Sequence, residues 1–348
     1  MSCRCMSPSG PVWRRFRSSH CQGASHRVFP VFCCHPLCRG STFPSMSPIL
    51  LAIIPIFVLI LVGFGLRRMG FPGEGFWPVS ERLTYFVLLP AMLVQGLSGK
   101  ELSPDLLPLS VAVVCTILTM AIIARLLWPV LKLDGPAYTS LFQGSFRPNT
   151  YIGMSIAAAL MGAEWLALSA MALLAMIPVI NVICVLTLSR HGSKGGGGFK
   201  RVLFGVVTNP LILACAIGLG MNLLHLSLPS IINDFLDILG RAALPMGLLA
   251  AGAGLRFETV NGGKRTLVVS SVLHLAVLPL LAAGFSVLFG VDPAGQQIAV
   301  IYTAIPVSLS SFILARQMGG DHRLMAQIIT VQTVLSVVTM PLALALLT

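Results

Sequence analysis

Charge is scarce in this chain. Only 10% of its 348 residues are Asp, Glu, Lys or Arg, while 56% are hydrophobic. A soluble protein of this length cannot hide so much apolar surface, and a soluble fold is excluded. Acidic residues are the scarcer sign: 11 against 23 Lys and Arg, for a formal charge of +12. In a soluble protein that excess would suggest nucleic acid. In a membrane protein, loop arginines and lysines set orientation, so no nucleic-acid partner is expected. Enzyme signatures are missing too. There is no HExxH, no GxSxG, no GxGD pair and no phosphate loop, and no nucleophile, acid–base or metal constellation takes their place.

The first 45 residues lack any acidic residue and any apolar run long enough for a signal peptide or a span. They hold six arginines and six of the nine cysteines: Cys3, Cys5, Cys21, Cys33, Cys34 and Cys38. Cys33-Cys34-His35 with Cys38 lacks the paired CxxC spacing of a zinc site, and no spacing supports a disulfide framework. Residues 1–45 read as a non-native or disordered extension, with Met46 as the true start. Without them 17 basic and 11 acidic residues remain. Neither a metal nor a cofactor is expected.

What is present is a succession of long apolar stretches, and a helix needs about 20 residues to cross a bilayer. The pattern predicts an all-α polytopic membrane protein. From Met46 it places ten spans at about 49–66, 82–98, 107–129, 138–160, 165–188, 203–222, 235–254, 266–289, 296–316 and 327–347. Ser189 to Arg201, with its glycine run 195–198, divides the chain. This gives a first repeat at 46–189, a cytoplasmic linker at 190–201 and a second repeat at 202–348.

The two halves resemble each other. Leu61-Val62-Gly63-Phe64-Gly65-Leu66 matches Ala216-Ile217-Gly218-Leu219-Gly220-Met221, displaced by 155. Leu89-Pro90 with Leu93 matches Leu244-Pro245 with Leu248 at the same offset. Ile156, Ala158, Met161, Gly162 and Glu164 face Ile313, Ala315, Met318, Gly319 and Asp321 at 157. A constant order at a near-constant offset indicates duplication. Five spans per copy is an odd number, so consecutive copies insert in opposite senses. Loop charges agree: Arg67, Arg68, Lys132, Arg190, Lys194, Lys200, Arg201, Arg256, Lys264, Arg265 and Arg323 fall in alternate loops. The positive-inside rule makes those loops cytoplasmic and puts Met46 and Thr348 outside.

Spans four and nine are broken at matching positions, one by Gly144-Ser145-Phe146-Arg147-Pro148-Asn149-Thr150-Tyr151 and the other around Pro306. A proline in a helix interior costs about 3 kcal/mol, and lipid offers no water to the freed carbonyls. Paired breaks of this kind point to a transporter's binding site. A half-helix N-terminus at Pro148 offers unsatisfied amides to an anion. Asn149 either donates to substrate or caps the restarted helix, and Thr150 adds a hydroxyl. Arg147 either faces the anion or snorkels to a carbonyl. Beside Pro306, Ser308, Ser310 and Ser311 either re-satisfy the backbone or bind substrate. Arg241 in span seven and Asn181 in span five are weaker candidates. Gln95 either faces a cavity or bonds a neighbouring helix, and His274 either titrates as a proton-coupling group or bonds a carbonyl. No span contains a buried acidic residue, which argues against a carboxylate proton relay. Asp321 and Glu164 read as caps.

With these residues in hand, the chain resembles the auxin efflux carrier family, which includes bacterial malonate carriers. Pro148-Asn149-Thr150 followed by Gly153 and Met161-Gly162 carries the likeness, as do Ala304, Pro306, Phe312 and Ala315, Leu89-Pro90 and Leu244-Pro245. The resemblance implies two inverted five-helix repeats with crossover helices four and nine, and elevator-like carriage of small organic anions. Homodimers are known in the family. Two departures stand out: the long plant loop is a short linker here, and Gln317 replaces an acidic residue. The expectation is an inner (plasma) membrane carrier of small carboxylates such as malonate or an auxin-like acid. The alternatives are a sodium-coupled symporter of related architecture and a non-transporting ligand sensor.

Overall fold

The computed structural model describes residues 46–73, 75–98, 106–162, 165–193, 208–257 and 263–348. The extension at 1–45, most of the linker, and Lys100, Glu101, Asp105 and Glu164 lie outside the described residues.

Every described element is helical. In chain order they are α1 (Met46–Arg68), α2 (Phe76–Leu83), α3 (Leu89–Leu97), α4 (Leu106–Leu131), α5 (Gly135–Gly144), α6 (Thr150–Leu160) and α7 (Trp165–His191). They continue as α8 (Pro210–Leu223), α9 (Ser230–Ala253), α10 (Lys264–Val272), α11 (Leu278–Leu288), α12 (Pro293–Ala304), α13 (Ser310–Met318) and α14 (His322–Leu347). Single π turns, Thr84–Leu88 and Leu273–Val277, join α2 to α3 and α10 to α11. Each lies just before a proline, Pro90 or Pro279. A ring nitrogen without N–H cannot close the regular ladder, and the turn widens there.

Among the described residues six helices are long and apolar enough to cross a membrane: α1, α4, α7, α9, the continuous α10–α11 and α14. Their starts follow short-range chemistry. Asp134, Asn209, Asp292 and Asp321 cap α5, α8, α12 and α14, each accepting a backbone N–H of the first turn. Such caps contribute about 1 kcal/mol each. Asp321 therefore does the capping job its position suggested. Of the sixth span, expected from 203, the described part is α8, which Asn209 caps; residues 203–207 lie outside the described residues.

Close packing rests on glycine. A Cβ on Gly63 would stand 2.1 Å from the Leu249 carbonyl oxygen, and one on Gly252 would stand 1.8 Å from that of Ile60. These two absences of a side chain let α1 and α9 approach backbone to backbone. Elsewhere α3 packs on α8 and α4 on α7. The loops predicted cytoplasmic meet: the Asp321 N–H donates to the Pro136 carbonyl and that of Ser193 to Gly319.

Candidate functional site

The backbone stops being helical at Ser145 and again at Ile305, and the two gaps lie against each other. Pro148 and Val307 form the isolated antiparallel bridge of the described residues. The Asn149 N–H donates to the Pro306 carbonyl at 3.0 Å, and the Ser308 N–H to the Arg147 carbonyl at 2.9 Å. Each gap thus supplies partners the other lacks, as a bilayer interior demands. Pro148 and Pro306 are 158 apart, one residue out of the 157 repeat register; the bridge pairs positions 159 apart, making Asn149 the counterpart of Ser308. Room for the crossing comes from Gly153, where a Cβ would stand 2.8 Å from the Tyr302 ring.

Gln332 of α14 ties the gaps from behind. Its Oε1 accepts from the Val307 N–H at 3.1 Å, and its Nε2 donates to the Gly144 carbonyl at 2.8 Å. His274 Nδ1 reaches the same Gly144 carbonyl at 2.8 Å. Sequence reading gave Gln332 no role. A carboxamide in mid-helix, surrounded by apolar residues, was the available signal.

In front of the crossing lies a cavity of about 100 Å³. Arg147, Pro148, Asn149, Thr150, Asn181, Ser308 and Ser310 all line it, so seven candidate residues come together. Pro306 contributes its carbonyl to the bridge and does not line the cavity. Arg241 is not brought there: it is 78% exposed and pairs with Asp237 one helical turn away. Gln95 bonds Asn233 on a neighbouring helix.

Arg147 is the cation of the cavity. Arg147 is half-buried. Its Nε donates to Ser310 Oγ at 3.3 Å and its Nη2 to Asn181 Oδ1 at 3.2 Å. Nη1 is buried with no hydrogen-bond partner. Among the described residues Arg147 forms no ion pair with a carboxylate. The first turns of α6 and α13 converge on the same space, both presenting the positive end of a helix dipole. Asn149 caps α6 by accepting from the Ile152 N–H at 3.5 Å, and its side chain lines the cavity. Ser308 Oγ lies 2.9 Å from Ser310 Oγ. Arg147, Asn149, Thr150 and the serines that line the cavity all carry hydrogen-bond donors.

Three further polar lining residues escaped the sequence reading: Glu81, Tyr85 and Tyr151. Glu81 corrects the expected absence of an acid within the spans. It fell one residue before the expected second span, but the helix begins at Phe76 and holds it half-buried. Glu81 and Leu309 also line a second cavity, of about 280 Å³, with Arg67, Arg256 and Arg316. Leu309 stands at the boundary, packed so closely on Gly254 that a Cβ there would lie 2.4 Å from its Cδ2.

Comparison with known proteins gives this geometry a context. Residues 199–344 match the membrane transport protein family. Over 293 residues the chain is 24% identical to an uncharacterized transporter of Methanothermobacter thermautotrophicus, covering 83% of this chain and 95% of the relative. An uncharacterized transporter of Methanocaldococcus jannaschii is 21% identical over 302 residues, covering 83% of this chain and 96% of the relative. Auxin efflux carrier component 5 of Arabidopsis thaliana is 28% identical over 120 residues, covering 33% of this chain and 34% of the relative. The resemblance read from Pro148-Asn149-Thr150 and its companions is borne out at the level of the family.

Proposed function

We propose that this chain, which carries the membrane transport protein domain over residues 199–344, is a secondary carrier of small organic anions. The observation that carries the reading is Arg147: a cation at the crossing of two broken helices, with one buried N–H unpaired and no carboxylate partner. Burying such a group is unfavourable unless a counter-charge arrives, and a carboxylate substrate is that counter-charge. Bidentate or charge-assisted bonds from Arg147 and the donors of Asn149 and Thr150 replace its hydration shell.

Size narrows the class. A cavity of about 100 Å³ holds about three waters. That favours a compact carboxylate such as malonate over an indole acid in this conformation.

Alternating access of the elevator type fits the packing. The contacts of one half are exchanged in the other: α1 lies on α9 while α8 lies on α3, and α4 lies on α7 while α10–α11 lies on α14. This exchange supports ten spans in two inverted five-helix repeats. Helices α1, α3, α8 and α9 then form the fixed part, and the half-helices travel with α7 and α14. The cavity shared by Leu309 and Glu81 is the route to one face, here the cytoplasmic face of an inner membrane.

The test is counterflow of labelled carboxylates in proteoliposomes, beginning with malonate and an indole acid. Exchange without an imposed ion gradient establishes the carrier. Binding without exchange favours a sensor, and no binding across a broad carboxylate panel rejects the anion reading.

A further inference from the structure

A second feature lies on the flank of the molecule and shares no residue with the crossover cavity. Helices α4 and α7 leave between them a trench of about 520 Å³, floored by α5. One wall carries Leu118, Ile122 and Leu126 of α4; the other carries Ile183 and Leu186 of α7. These positions recur at three- and four-residue spacing, so each helix shows the trench a single apolar stripe. Ile122 and Leu126 are 61% and 66% exposed, open to whatever lies alongside.

Only one end of the trench is charged. Arg125 follows Ile122 by one turn, and Arg190 with His191 follows Leu186 and Thr187. No carboxylate lines it; the nearby Asp134 is engaged as the cap of α5. Arg125 is held in place, its guanidinium 4.9 Å over the Trp128 ring. Trp128 is itself fixed, stacked on Tyr138 at 4.4 Å and donating from Nε1 to the Leu133 carbonyl at 2.8 Å. His191 meets both rings edge-on. Aromatic side chains at this level and basic groups beside them mark the headgroup depth of a bilayer.

We propose that this trench is a binding site for an anionic phospholipid. One acyl chain lies along Leu118, Ile122 and Ile183, a path of about 10 Å from Leu118 to Arg125 at 1.5 Å per residue. The phosphodiester sits between Arg125 and Arg190, where guanidinium groups bond it with charge assistance. A soluble anion would gain nothing from the apolar walls, and a neutral lipid would leave the two cations without a net counter-charge. Basic pockets between transmembrane helices on the cytoplasmic side take anionic headgroups for this reason.

The experiment is native mass spectrometry of the full chain, purified in detergent and offered phosphatidylglycerol or phosphatidylcholine of identical acyl chains. Wild type is expected to retain at least one more phosphatidylglycerol than phosphatidylcholine. The R125Q/R190Q variant should lose that preference, with roughly a tenfold or greater drop in phosphatidylglycerol retention. Ile122→Trp, which fills the trench and keeps both cations, should displace the same lipid, while Arg68→Gln at another basic cluster should not. Equal retention of both lipids by wild type would overturn the proposal. So would undiminished phosphatidylglycerol retention in both trench variants. Should the arginine variant fail to fold, Ile122→Trp decides the matter alone.

Discussion

Pro148 and Val307 face each other across an antiparallel bridge, 159 positions apart in the chain. Each interrupts a helix, and the hydrogen bonds on either side of the pair stitch the two interruptions together. The site in front of them follows from that contact. It brings Arg147 and Asn149 of one half against Ser308 and Ser310 of the other.

Arg147 and Arg241 separate a cavity cation from a surface one. Replacing Arg147 with Gln removes the uncompensated charge and should raise the half-saturation concentration for counterflow by about 10- to 100-fold, the worth of a charge-assisted bond. Replacing the exposed Arg241 with Ala breaks only a surface pair, which contributes about 0–1 kcal/mol. Counterflow should be unchanged. A large effect from Arg241→Ala with none from Arg147→Gln would reverse the assignment.

Asn149 has two jobs that substitution can divide. Asp caps a helix as well as Asn does, whereas Ala costs about 1 kcal/mol. Asn149→Asp should therefore keep the thermal midpoint and abolish anion exchange, because it sets a negative charge where the substrate goes. Asn149→Ala should lower both. Exchange surviving in the Asp variant would reduce the residue to a cap.

Glu81 puts a carboxylate on the wall of an anion cavity. Neutralising it as Glu81→Gln removes a repulsion, so equilibrium binding of the carboxylate should tighten by several-fold. Isothermal titration reads this directly, and weaker binding would assign Glu81 a cationic partner in the transport cycle.

Gln332 serves the fold. Gln332→Leu leaves the buried Val307 N–H without its acceptor and removes a donor from Gly144. An unsatisfied buried group costs about 1–3 kcal/mol, and the thermal midpoint in detergent should fall accordingly. His274 still reaches Gly144, so the Val307 N–H carries most of the loss.

Gly252→Ala drives a methyl into the Ile60 carbonyl. Backbone cannot swing aside as a side chain does, so α1 and α9 must separate, at about 1–3 kcal/mol. Gly220→Ala, with nothing within 4 Å of its Cβ, is the matched control and should be neutral in the same assay.

Local chemistry in the sequence by itself determined the helical class, the apolar stretches and the breaks, because each is written within a few neighbouring residues. Twenty apolar side chains specify a crossing, Pro148 and Pro306 specify a stop, and Asp321 before an apolar run specifies a cap. The same locality made Pro148-Asn149-Thr150 a recognisable site. What only the tertiary structure decided depends on residues far apart in the chain. Arg241 and Arg147 are both arginines inside apolar spans; Asp237 one turn before Arg241 hints at its partner, but which arginine lines the cavity and which lies on the surface is set by packing. The acid Glu81 entered the cavity because its helix starts six residues earlier than hydropathy indicated, with Phe76 and Trp77 in its first turn. Gln332 became the tie between the two breaks because the crossing left a carbonyl and an N–H facing it. Hydrogen bonds across 188 positions are set by packing, and packing is a property of the whole fold.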